Sequence, residues 1–223
     1  MKKKDNNKTK VLALISLIIA VISITIGFTA YTRVLIVLPN ANVSPNDKTF
    51  KVGFSTRNNS LIPGTVSPSL YSISDDIKLP KASNAVLNET IVNGINVDFS
   101  EPGQSVVYSF YVYNAGQFDA YLNQIIFSNL VGKNVNKVCT PGVGATKELI
   151  DIACRNIHIG IFYEPLSPGY NFNSVLDISN IKLKRNNFEV VKVIINYSYY
   201  NGMVDGPFTV TFGDIRLNYG VID

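Results

Sequence analysis

Two cysteines, Cys139 and Cys154, stand 15 residues apart in a chain that has no others. Pro141, Gly142 and a short apolar stretch lie between them. A catalytic dithiol is usually written Cys-x-x-Cys, which this is not. Zinc needs about four ligands, and two thiols with the single histidine, His158, fall short of a tetrahedral set. The pair is therefore expected to form a structural disulfide wherever the compartment is oxidising. Closing a loop of that size restricts the unfolded chain by about 3 kcal/mol.

His158 sits between Ile157 and Ile159 in a strand-like run, so its ring points to the face opposite theirs. Any Ser-His-Asp triad would have to use it, yet no Gly-x-Ser-x-Gly elbow is present. Neither a His-Glu-x-x-His zinc helix nor a phosphate-cradling Gly-x-x-x-x-Gly-Lys loop occurs. Asp75-Asp76 is an adjacent acidic pair of the type a glycoside hydrolase would use at a separation of about 5–10 Å. It lies in a polar connection. Asp75, Asp76, Asp205 and Asp214 are hard-oxygen ligands in turns, as calcium requires, but their spacing follows no EF-hand or RTX-like pattern. Tyr111, Tyr113, Tyr197, Tyr199 and Tyr200 could present rings to a sugar, although the chain has no Trp. The expectation is no catalytic residue, no metal and no cofactor.

The charge distribution removes another class. Five of the 20 basic and one of the 16 acidic residues lie in the first ten positions, leaving 15 of each sign. A body without net charge has no general field to attract a phosphate backbone, so nucleic acid is not an expected partner.

Residues 1–10 form a lysine-rich cytoplasmic leader, with Lys2, Lys3, Lys4, Lys8 and Lys10 against Asp5. Residues 11–32 carry no charge. As a helix they would reach about 33 Å, enough for a bilayer core of roughly 30 Å. Lysines before the run hold the N-terminus inside and send residues 33–223 out. Two fates stay open for this membrane-contacting segment. Its length favours a retained anchor, since a signal peptide needs an apolar stretch of only about 7–15 residues. Gly27-Phe28-Thr29-Ala30 could instead end a cleaved signal, with Thr29 or Ala30 as the last residue removed.

The elements that follow read as strands. Val34-Leu35-Ile36-Val37-Leu38, stopped by Pro39, is apolar on both faces. Val106, Tyr108, Phe110 and Val112 alternate with Val107, Ser109, Tyr111 and Tyr113, between turns at Pro102-Gly103 and Asn114-Ala115-Gly116. Further strands are expected over 121–127 and 156–163. Another places Val191, Val193, Ile195 and Tyr197 on one face, with Lys192 and Asn196 on the other. Near the end Phe208, Val210 and Phe212 face inward; Gly213-Asp214 then reads as a bulge before Ile215, Leu217 and Tyr219. Thr146 is placed to cap a short helix over Lys147–Cys154, with Leu149, Ile150 and Ala153 as its apolar face. Residues 57–90, rich in Ser, Asn and Pro, read as a long irregular connection with one short strand. Many short strands, one helix and no βαβ rhythm predict a mainly β, antiparallel β-sandwich.

The lysine-led apolar segment ending Gly27-Phe28-Thr29-Ala30-Tyr31, then Glu101-Pro102-Gly103-Gln104, the strand to Tyr113, Asn114-Ala115-Gly116 and the closing Phe208–Phe212 strand form a familiar order. It resembles the TasA/camelysin group of exported bacterial proteins, which a SipW-type signal peptidase processes. The cysteine pair stands outside that group's pattern. The resemblance covers about a third of the chain. It implies a jelly-roll-like domain that self-associates into surface or biofilm-matrix fibres by donor-strand exchange. The exchanged element would be Val34–Leu38, which is too apolar to lie exposed. The alternative is pairing of that strand within its own domain. The function expected is a non-enzymatic, cell-surface structural protein, or else a membrane-anchored module binding a glycan or host protein.

Overall fold

The computed structural model describes residues 50–164, 181–198 and 204–221. The expected membrane segment 11–32, the cleavage positions Thr29 and Ala30, and the strand Val34–Leu38 lie outside the described residues. Among the described residues no helix is long and apolar enough to cross a membrane.

Those residues form fifteen strands and one helix. The first group is β1 (Val52–Ser55), β2 (Gly64–Val66), β3 (Ser69–Ser72), β4 (Lys81–Ala82) and β5 (Ala85–Asn88). Next come β6 (Ile91–Asn93), β7 (Asn96–Phe99), β8 (Gln104–Asn114), β9 (Ala120–Phe127) and β10 (Lys137–Pro141). The helix α1 (Lys147–Arg155) leads into β11 (Ile157–Tyr163). β12 (Lys182–Leu183), β13 (Phe188–Tyr197), β14 (Phe208–Phe212) and β15 (Ile215–Gly220) complete the set.

Every pairing between them is antiparallel. The five-stranded sheet is built on β8 and runs β1-β8-β13-β11. β1 and β3 share one edge of β8, opposite Tyr111–Asn114 and Gln104–Val107 respectively. A four-stranded sheet runs β10-β14-β7-β4, and a six-stranded sheet β12-β9-β15-β6-β5-β2.

The three sheets contribute to one apolar cluster. The expected inward faces are the observed ones. Val106, Tyr108, Phe110 and Val112 of β8, Val191, Val193, Ile195 and Tyr197 of β13, and Phe208, Val210 and Phe212 of β14 are all buried. Period-two alternation puts each set on one side of its strand, and covering an apolar side chain stabilises the fold by about 1.5–3 kcal/mol. Tyr197 meets Phe99 at 5.7 Å and Phe208 at 5.6 Å, both edge-on, which ties β13 to β7 and β14.

Three expectations need correction. Residues 57–90 are not an irregular connection: β2, β3, β4 and β5 all fall within them. These strands are two to four residues long, so they show one alternation at most. Ser83 organises the turn after β4, accepting from Asn96 N–H at 2.9 Å and donating to the Gly94 carbonyl at 2.6 Å. Gly213-Asp214 is not a bulge within one strand. It carries the chain from β14 in the four-stranded sheet to β15 in the six-stranded one. A Cβ on Gly213 would lie 2.0 Å from the Ser128 carbonyl oxygen, so only glycine passes there. The register of β15 against β9 shifts instead at Asn218/Tyr219.

The third correction concerns α1. Thr146 occupies the N-cap position, but its side chain makes no capping bond. Its hydroxyl and its N–H both donate to the Asp205 carboxylate, which that contact holds below the usual carboxylate range. Ile150 and Ala153 are buried as expected, while Leu149 is half-buried.

Candidate functional site

Polar side chains buried among apolar strands are the first place to look for chemistry, because each must find a partner. β8 carries one at either end, in phase with its buried face. Gln104 and Asn114 are both fully buried. The Gln104 side-chain oxygen accepts from the N–H groups of Ser100 and Glu101, at 2.8 and 3.2 Å. Its amide donates to the Lys78 carbonyl at 2.6 Å and to Ser100 Oγ at 3.0 Å. Gly103, at φ +92°, turns the chain into β8; its N–H donates to the Tyr197 carbonyl and its carbonyl accepts from Ile73 N–H.

Asn114 does the same at the other end. Its amide donates to the carbonyls of Phe118 and Leu183, at 2.8 and 3.1 Å, and its side-chain oxygen accepts from Gly116 N–H at 2.9 Å. Both amides are engaged in hydrogen bonds, all but one of them to backbone groups. Their role is to fasten β8 to the segments around it, not to act on a substrate.

A second group sits where β10 and β11 meet α1. Cys139 and Cys154 are joined by the expected disulfide, with Cα atoms 6.0 Å apart, so α1 is tied to β10. Lys137 reaches from β10 to donate its ammonium to the Ile157 carbonyl at 2.5 Å, and burial lowers its pKa. These two links and the buried Ile150 and Ala153 hold a helix that would be too short to persist alone.

The third group was not anticipated. The hydroxyls of Tyr163 on β11 and Tyr219 on β15 lie 2.6 Å apart, joining the five-stranded sheet to the six-stranded one. Burial pushes both phenols well above their ordinary value. Glu189 lies near them and shares the inward face of β13 with Val191. Desolvation raises its pKa. Its position in phase with Val191, Val193 and Ile195 was the signal available beforehand.

The remaining candidates are dispersed. His158 is half-buried on the outward face of β11, opposite Asn196. Asp75 and Asp76 are exposed in a turn, Asp205 is held by Thr146, and the Asp214 carbonyl accepts from Ser128 N–H. Among the described residues no three His, Cys, Asp or Glu side chains come together as a metal set. Tyr197 is wholly buried between Phe99 and Phe208, which corrects its listing among rings offered to a sugar. Tyr111 and Tyr113 are half-buried on the outward face, Tyr111 meeting Phe188 edge-on at 5.5 Å. Tyr199 and Tyr200 lie outside the described residues. No protein-family model, curated protein sequence or solved structure matches this chain.

Proposed function

We propose that the chain is an exported, non-enzymatic structural protein of the cell surface. Its domain would be a jelly-roll-like β-sandwich. Residues 11–32 deliver it across the membrane, and the strand Val34–Leu38 joins subunits of a TasA-like fibre. One observation supports this reading above the others. The residues that carry the resemblance, Gly103-Gln104 and Asn114-Ala115-Gly116, are spent on building the frame around β8. A protein whose distinctive residues build a frame is suited to bearing load. The disulfide fits an oxidising exterior in the same way.

Mass spectrometry of the purified product, with negative-stain images of the same sample, tests the proposal. A start near Tyr31 together with filaments is expected. An intact N-terminus on single, unassembled particles would contradict fibre assembly.

A second reading is a membrane-anchored binding module. The outward face of the five-stranded sheet favours it, with Val107, Tyr111, Tyr113, Phe188, Val190 and Ile194 half-buried rather than polar. Glycan-array or host-protein binding that disappears in Tyr111→Ala and Tyr113→Ala would favour this module over the fibre.

A further inference from the structure

Among the described residues β11 pairs with β13 along one side only. Backbone groups alternate in direction along an antiparallel strand. Glu164 N–H donates to the Val190 carbonyl at 3.0 Å, and Ser198 N–H to the Asn156 carbonyl at 2.9 Å. The even-numbered residues therefore face β13. Ile157, Ile159, Ile161 and Tyr163 turn their N–H and C=O groups the other way. Lys137 occupies the carbonyl of Ile157. Among the described residues, no backbone group meets those of Ile159, Ile161 and Tyr163.

At seven residues β11 is also the longest edge strand among the described residues. β2, β3, β4 and β12 have two to four. β10 contains Pro141 and holds the disulfide to α1. Natural edges are usually blunted by charge, proline or a cover. Between Lys137 at one end and Glu164 at the other, the strand itself carries neither a charged residue nor a proline.

We infer that the outer edge of β11 pairs antiparallel with the same edge of a second copy, about a two-fold axis at Ile161. The segment complements itself around that residue. Ile159 opposes the partner copy's Tyr163, and each such outward-facing pair exchanges two backbone hydrogen bonds. His158 opposes Glu164, an imidazole against a carboxylate that its own Lys192 already holds at the strand end. No like charges face each other, and opposed partners of this kind favour pairing. An isologous contact requires this self-complementarity, and two-fold dimers are the commonest closed assembly. The contact is independent of the fibre proposal, because it uses no residue before Ile157.

The test uses the full-length chain in detergent, with its mass read by sedimentation. Two chains per particle are expected. Ile159→Pro removes an outward N–H and no bond to β13, so it should give single chains that keep the native circular dichroism spectrum. If that variant does not fold, His158→Glu sets like charges opposite Glu164 and should also give single chains. Adding Glu164→Arg to it should restore the pair. Ile161→Cys should yield a covalent dimer on a non-reducing gel. Single chains in the wild type would overturn the inference, as would a dimer that survives both Ile159→Pro and His158→Glu. So would a cross-link from Ile161→Cys to Ile36→Cys in preference to its own copy, which would give the edge to the N-terminal segment.

Discussion

Asn114→Ala should cost the domain several kcal/mol although it removes only a small exposed-type side chain. The substitution deletes three hydrogen bonds, to Phe118, Leu183 and Gly116. Phe118 is 52% exposed, so water can reach its carbonyl. Gly116 N–H and the Leu183 carbonyl are buried and would be left without a partner. Each such group costs about 1–3 kcal/mol, which sets the loss at roughly 2–6 kcal/mol. Total stabilities run to about 5–15 kcal/mol, so this is a large fraction. At about 2–4 °C per kcal/mol for a domain of this size, the melting temperature should fall by roughly 4–24 °C. Circular dichroism melts of the full chain measure it, with Gln117→Ala as a neighbouring exposed control. Asn114→Asp keeps the acceptor for Gly116 but loses both donors and buries a charge, so it should fall at least as far. If Asn114→Ala melts with the control, the idea that buried amides fasten β8 is wrong.

Replacing Cys139 and Cys154 together by Ser should lower stability by about 3 kcal/mol, seen as a lower urea midpoint under oxidising conditions and no difference under reducing ones. Gly213→Ala should prevent the crossing between sheets, because its Cβ meets backbone at Ser128; lost near-ultraviolet dichroism or failure to accumulate checks this. Glu189 has a raised folded pKa, so its protonated form is the one the fold prefers. The stability it contributes is present below the unfolded value and is lost as pH rises through the raised one. Urea midpoints taken between about pH 4 and 7 should therefore fall for the wild type relative to Glu189→Gln, and parallel curves would refute the placement of this carboxyl.

The long strands were legible because they repeat. Val106 to Val112 and Val191 to Tyr197 each give several turns of period two, and the pattern names the buried face directly. β2 to β5 were not, since Ala85-Val86-Leu87-Asn88 alternates once and then turns. Nor could Phe208–Tyr219 reveal that its two halves belong to different sheets. That depends on how closely Gly213 approaches Ser128, a contact 85 positions away in the chain. The turns flanking β8 were recognised, but Asn114 was read as a turn residue and Gln104 was left outside the strand. Both keep the phase of the buried face, and that was the available sign of an inward-pointing amide. The disulfide followed from counting, and the Tyr163–Tyr219 contact from nothing local, because it joins strands 56 residues apart.

The claim on which the rest depends is that the domain folds beyond the cytosol. Cells producing the chain can be quenched in acid, alkylated, and assayed for the state of Cys139 and Cys154. The full chain should yield the two cysteines as one linked peptide, and a version lacking residues 1–32 should yield both alkylated. Alkylated cysteines from the full chain would contradict the account.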